Sequence, residues 1–277
     1  MTAAELYALL EIELPGDEAM ASDRLGVQVE PPSLVISGIL TCLEVTDAVL
    51  DEAEQRGCNC IVTFHPLIFS PLESLRPFDR VGRCVMRAIS SHIAIISVHT
   101  TLDAHPEGTN AALAHTLGIK PERPLLPSPR GRLGYGIGIV GRLAEAMPLA
   151  DLVRMVAERL GTAVRYSVGT RDTIERIALV AGSGASFLDA AIESGADAFI
   201  TADVKYHTFH RAAGHIALLD TGHFEMEQHV PRVLAQLIER LLARHGIRLG
   251  VTASSVRTSP VHVEVPLAIE IESSTTS

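Results

Sequence analysis

The sequence predicts an α/β protein of two related α/β/α half-molecules with mixed sheets, and three observations carry that expectation. Strand-like apolar runs alternate with helical patterns, the order that packs helices on sheets. Two stretches of the chain recur in the same order. Polar residues with metal-ligand chemistry follow the apolar runs, at the carboxyl ends of strands, where open α/β sheets form their ligand crevice.

The elements follow in order. Thr2 with Glu5 three residues on reads as a capping box opening an N-terminal helix. "LVISGILTCLE" (34–44) reads as a strand, and "VTDAVLDEAEQRG" (45–57) as a helix stopped at Gly57. "CNCIVTF" is a strand, "FDRVGRCVMRAISSH" (78–92) an amphipathic helix, and "HIAIISVHT" (92–100) a strand with a polar end. Residues 118–134 hold four prolines and three glycines, too many for regular structure, and predict the connection between halves. The first half then spans 1–120, completed by the C-terminal segment 223–277, and the second spans 130–222.

Within the second half, "YGIGIVGRL" is a strand and "MPLADLVRMVAERLG" a helix with Pro148 near its first turn. Strands "TIERIALVAG", "ADAFITA" and "HIALLDTG" alternate with helices "ASFLDAAIESG" and "VKYHTFHRAAG". A long helix is expected over 223–246, then strands near 247–255 and 261–270.

The repeat supports the two halves. A constant offset of 138 aligns "LDEAEQRGCNCIVTFH" (50–65) with "LDAAIESGADAFITAD" (188–203). "HIAIISVHTTLD" (92–103) likewise resembles "HIALLDTGHFEME" (215–227), with one residue inserted. Generic helix–Gly–strand recurrence accounts for either match alone; two matches in one order argue for duplicated architecture.

Composition narrows the function classes. The chain of 277 residues is 47% apolar with a net charge of −10, which fits a compact globular protein. Nucleic-acid binding by phosphate neutralisation is disfavoured. No apolar run approaches the roughly 18 residues of a membrane span, and the acidic N-terminus lacks a signal-peptide pattern, so a cytoplasmic location is expected. The four cysteines form no CxxC pair; Cys58 and Cys60 are expected on one strand face as reduced thiols, with zinc or a disulfide as the other readings. Twelve histidines are the informative excess.

His65 follows one strand, and His99 and Asp103 the next; Asp203 and His207, then Asp220, His223 and Glu227, follow the corresponding strands of the second half. Facing halves would bring these into one cleft. His223 and Glu227, four apart at a helix start, share a face and can reach one ion, although such pairs also decorate exposed helices. His65 read alone is a ligand or a hydrogen-bonded core imidazole. Asp103 is a ligand, or an Asx-turn or cap before the next helix. Together, two histidines and two carboxylates suit Zn²⁺, Mn²⁺ or Fe²⁺ better than Ca²⁺, and such an ion activates water. Gly182 and Gly184 in "VAGSGAS" either turn backbone N–H groups toward a phosphate or form a tight turn. Lys205 is a phosphate contact or a surface lysine, and His99 and His207 are candidate proton carriers.

At these residues the sequence resembles the Nif-three-like family, also called YbgI/YqfO-like and labelled GTP cyclohydrolase I type 2 homologues. "TFHPLIFSPL", "VHTTLDAHPEGTN", "GSGASFLDAAIESGADAFITADVKYH" and "LLDTGHFEMEQHV" occur in the family's order, and "DRLGVQVE" (23–30) looks like its N-terminal phrase without the usual tryptophan. The resemblance implies a dinuclear metal site between two halves and a ring-shaped homohexamer. By motif it carries ligand roles to His65, Asp103, His223 and Glu227, with Glu227 the bridging carboxylate. It implies a metal-dependent hydrolase of nucleotides or other phosphorylated small molecules; a non-catalytic metal-binding regulatory or interaction protein is the alternative. The family's motif has two adjacent histidines where this chain has Phe64–His65. Phenylalanine cannot ligate, so one firmly held ion per chain is expected, with a second weak, absent, or helped by His99 or His207.

Overall fold

A computed structural model describes residues 1–264 of the chain. In chain order the elements are α1 (Ala3–Glu13), β1 (Gly26–Val29), β2 (Gly38–Cys42), α2 (Asp47–Gln55), β3 (Cys60–Thr63), α3 (Arg80–Ser90), β4 (Ala94–Ser97), α4 (His99–Ala104) and α5 (Thr109–Thr116). There follow β5 (Ile119–Pro127), β6 (Gly136–Pro148), α6 (Leu149–Leu160), β7 (Arg165–Ser167), β8 (Thr173–Leu179), α7 (Leu188–Glu193), β9 (Ala198–Ala202) and α8 (Tyr206–Ala212). Then come β10 (Ala217–Thr221), α9 (His223–Glu227), α10 (Val230–Arg244) and β11 (Gly250–Ala253).

Two mixed sheets organise the fold, one ordered β1-β4-β3-β2-β11 and the other β5-β6-β8-β9-β10-β7. Each holds a parallel triplet, β2–β3–β4 in the first and β8–β9–β10 in the second. The offset seen in sequence maps Cys60–Thr63 onto the start of β9. Strands β3, β4, β9 and β10 are buried throughout, because helices cover both faces of a parallel sheet and leave no polar side. On the first sheet α1 and α10 pack one face through Leu6, Leu10, Leu234 and Ile238, while α2 and α3 cover the other through Val49, Leu50, Cys84 and Val85. On the second, α5 and α6 cover one face, and α7 and α8 the other.

Local chemistry explains the boundaries. Thr2 and Glu5 exchange both capping-box bonds at α1. Asp79 caps α3 by accepting from the Gly82 N–H at 2.9 Å. Gly161 ends α6 in the left-handed conformation, at φ +68.

Four expectations change. The Pro/Gly-rich 118–134 segment is not wholly irregular, since Ile119–Pro127 forms strand β5. Its three prolines are accommodated because β5 is an edge strand with a register shift between Pro121 and Arg123, and an edge leaves the missing N–H on the unpaired side. The helix expected over 223–246 is broken after Glu227 and restarts at Val230. Pro231 is the cause, because it lacks an N–H and its ring collides with the carbonyl four residues back, that of Glu227. Cys58 and Cys60 do not share a face: β3 begins at Cys60, so alternation does not reach Cys58, and the two thiols lie in different core clusters. All four cysteines are buried and unpaired. The strand expected over 261–270 is absent from 261–264, and its remainder lies outside the described residues.

Candidate metal centre

The centre is assembled at the carboxyl ends of both parallel triplets. Glu44 follows β2, His65 follows β3 and His99 follows β4; Gly182 follows β8, Asp203 follows β9 and His223 follows β10. Strand alternation separates Phe64 from His65. Phe64 shares the inner face of Cys60 and Val62 and is 1% exposed in the first core, so His65 turns the other way, into the cleft.

Glu227 is the centre of the arrangement. Its Oε2 lies 3.3 Å from His65 Nε2 and 3.1 Å from His223 Nε2, and it is buried without an aligned hydrogen bond. One donor atom from each of His65, His223 and Glu227 lies within 4.8 Å of the other two. Asp103 stands beside them electrostatically, and its Oδ1 is also buried and without a partner. Buried polar atoms left unsatisfied are costly. Two imidazole nitrogens converging on a buried carboxylate oxygen are a donor set that suits Zn²⁺, Fe²⁺ or Mn²⁺. Three residues thus come together directly, with Asp103 at their margin.

Each imidazole is backed by a second carboxylate. His223 Nδ1 is hydrogen-bonded to Asp203 at 2.6 Å, whereas His65 Nδ1 lies 3.4 Å from Glu44 as a charge contact without an aligned hydrogen bond. His99 Nδ1 is 2.6 Å from Asp23, whose other oxygen accepts from the Thr100 N–H and hydroxyl. A carboxylate on Nδ1 holds the proton there and leaves Nε2 as the ligating nitrogen. His99 and Asp203 also have positive φ, +28 and +56, a conformation that ordinary residues adopt at a cost and that clusters at functional sites.

The charges are strongly coupled. Burial alone lowers the His65 pKa, but Glu227 and Glu44 outweigh it and raise the group to about 10. Burial likewise opposes protonation of His223, while Glu227 and Asp203 raise it to about 9. Glu227 is pushed up by burial yet drawn down to about 2 by His223 and His65. Burial, reinforced by the Glu227 charge, lifts Asp103 to about 8. In such a site protons stand where a cation would otherwise neutralise the carboxylates.

Gly182 serves the centre sterically. Its φ is +64, and a Cβ there would meet Glu227 Oε1 at 2.3 Å and His223 Nε2 at 3.0 Å. The Gly184 N–H is bonded to Thr201 Oγ1 at 2.9 Å, and a Cβ there would strike Thr201 and Val180. The Gly184 donor is thus satisfied inside the turn. Asn110 ties the two sheets' loops together, giving its amide N–H to the Asp103 carbonyl and accepting from the Ala181 N–H at 2.9 Å.

His99 lies next to His65, ring centroids 5.6 Å apart. His207 does not join them: it is exposed on α8, its ring against Tyr206 and near His210, and it makes no hydrogen bond or ion pair with His65, His223 or Glu227. Lys205 is exposed at the N-cap of α8. Asp23 and Glu44 were not singled out by sequence reasoning. Glu44 carried a signal, since it directly follows a parallel strand as His65 and His99 do; Asp23 reaches His99 only through tertiary packing.

The Duf34/NIF3 (NGG1p interacting factor 3) family pattern matches residues 1–260. A Nostoc protein called GTP cyclohydrolase 1 type 2 homolog is 36% identical over 232 residues, covering 81% of this chain and 86% of that protein. A Streptomyces coelicolor protein of the same name is 31% identical over 263 residues, with 93% and 92% coverage. Among solved structures, Staphylococcus aureus protein SA1388 superposes with a TM-score of 0.87 at 27% identity, covering 95% of this chain and 99% of that one. Protein ybgI, described as of unknown function, superposes with a TM-score of 0.79 at 27% identity, with 93% and 99% coverage. Among the described residues, no helix is long and apolar enough to cross a membrane. The two-sheet fold, the histidine–carboxylate cluster and a family match over nearly the whole length lead to one conclusion: the chain belongs to the Duf34/NIF3 family.

Proposed function

We propose that this protein is a metal-dependent hydrolase of a nucleotide or other phosphorylated small molecule, holding one divalent ion (zinc, iron or manganese) between His65, His223 and Glu227, with Asp103 as the neighbouring carboxylate. One observation carries the reading: Glu227 Oε2 is buried, lies 3.1 and 3.3 Å from two imidazole nitrogens, and has no aligned hydrogen bond. When bound, the ion supplies Lewis acidity and acidifies water. The chain's own residues do the rest. Glu44 and Asp203 hold the His65 and His223 rings with Nε2 inward, and Asp23 orients His99 at the cleft wall to accept and return a proton.

The relatives' name suggests a GTP cyclohydrolase-like reaction for this chain. The proposal extends to a cytoplasmic homohexamer, and to half-molecules spanning 1–120 with 223–277 and 130–222. Phe64, standing where the family resemblance places a histidine, favours a second reading: a non-catalytic metal-binding regulatory or interaction protein. Metal analysis of purified protein is expected to give about one ion per chain, and a panel of nucleotides, nucleosides and phosphoesters separates the two readings. Turnover lost in His223→Ala and Glu227→Ala supports the enzyme. A tightly held pair of ions, or binding without turnover across the panel, refutes the corresponding part.

A further inference from the structure

We infer that the cleft over His65 and His223 takes an uncharged nitrogen heterocycle, a nucleoside or free base rather than a nucleoside phosphate, with its ring against Phe69 and Phe224 and an N–H donated to Glu44. The inference goes beyond the proposal above and departs from it in the substrate, setting an unphosphorylated ring in place of a nucleotide; it rests on that proposal for what the ring is brought to, though not for the binding itself.

The cleft has a volume of about 560 Å³, within the range of small-molecule sites. Its walls are mostly apolar, built from Leu43, Pro66, Phe69, Phe224 and Val261, with Glu44 beside the histidines. Phe69 and Val261 are 61% and 64% exposed. Large apolar groups kept in water around a polar floor mark a surface meant to be covered, and aromatic faces favour a flat ring. Glu44 lines the cleft beside the histidines and is partly exposed. A carboxylate there offers acceptor oxygens and no donor, so a ring N–H is its natural complement.

Phosphate finds nothing equivalent. No lysine or arginine lines this cleft among the described residues. The arginines around it are engaged: Arg24 donates Nε–H to the Phe69 carbonyl at 3.1 Å, and Arg80 donates Nη1–H to the Val45 carbonyl at 2.9 Å. Arg257 stacks over the Phe224 ring at 4.3 Å and pairs with Glu225 at 2.8 Å. Arg165, in the adjoining cavity with Asp203 and Glu225, is committed to Asp220 and the Val204 carbonyl. A divalent ion would be flanked by the Glu227 carboxylate, and the Glu44 carboxylate lines the cleft beside it.

The test measures binding by calorimetry with guanosine, adenosine, GMP, GTP and ATP, on zinc-loaded and chelator-treated protein, with metal content determined in parallel. At least one nucleoside is expected to bind about tenfold or more tighter than its triphosphate. Phe69→Ala, at an exposed position, is expected to weaken that nucleoside about tenfold without changing the melting temperature. Glu44→Gln is expected to narrow the gap between nucleoside and triphosphate by removing a repulsive charge. Triphosphates binding as tightly as nucleosides, no nucleoside binding at millimolar concentration, or Phe69→Ala binding normally each overturns the inference. Nucleoside binding by protein that takes up no ion supports this inference while sinking the metal reading; ion uptake without nucleoside binding does the reverse.

Discussion

Gly182→Ala tests the tightest contact at the centre. Gly182 and Gly161 have almost the same φ, +64 and +68, but a Cβ at Gly161 meets nothing within 4 Å. Forcing an L-residue into that conformation costs about 1 kcal/mol at either position. At Gly182 the new methyl would also stand 2.3 Å from Glu227 Oε1, and ordinary contact begins near 3.4 Å, so the carboxylate must retreat by about 1 Å. Glu227 is 3% exposed and cannot swing into solvent, so the retreat disturbs packed neighbours at a further cost of about 1–3 kcal/mol. Gly182→Ala is thus expected to lose roughly 2–4 kcal/mol, against about 1 for Gly161→Ala. Urea unfolding of the ion-free protein measures both, and chelator competition measures zinc affinity. A retreat of that size exceeds the tolerance of about 0.5 Å for a working site, so zinc binding should weaken by at least about tenfold in Gly182→Ala and not at all in Gly161→Ala. Equal destabilisation and equal zinc affinity in the two variants would refute the steric argument.

Three further predictions concern charge. His65 and His223, raised from 6.5 to about 10 and 9, contribute stability that is complete below the ordinary histidine value and lost as pH rises through the folded values. Asp103, raised from 3.8 to about 8, acts in the same direction, whereas the Glu227 contribution is present above 4.5 and lost as pH falls through about 2. From these four groups the ion-free protein should be most stable near about pH 4.5 and decline toward pH 10. Zinc loading at pH 7 should release protons, read as a buffer-dependent calorimetric heat, with affinity climbing from pH 6 to 9; a pH-independent affinity would sink the assignment. Glu44→Gln and Asp203→Asn, at partly exposed carboxylates, should each weaken zinc about 10–100-fold while leaving the fold intact; affinities within twofold of the parent would exclude an orienting role.

Much of the architecture is legible in the chain because it is local. The capping box at Thr2 and Glu5, the strand–Gly–helix alternation and the offset of 138 all reflect short-range periodicity. That periodicity, with the family motifs, also marks His65, His223 and Glu227. Edge position is not local, which is why the prolines of β5 read as a connection: a proline is tolerated or excluded according to whether a neighbouring strand needs its N–H. The helix break at Pro231 was readable in principle, since the collision with Glu227 follows from covalent geometry alone.

Side-chain period and turn chemistry act within a few residues, so the chain carries in readable form its alternating elements, its duplicated plan and the placing of ligand-type residues at strand ends. Long-range packing sets the rest: Asp23 against His99, Glu44 against His65, and the side-chain space that Gly182 yields to Glu227. These are pairings across 20 to 80 residues of chain, set by how two sheets and their helices exclude water together, and no local pattern encodes them.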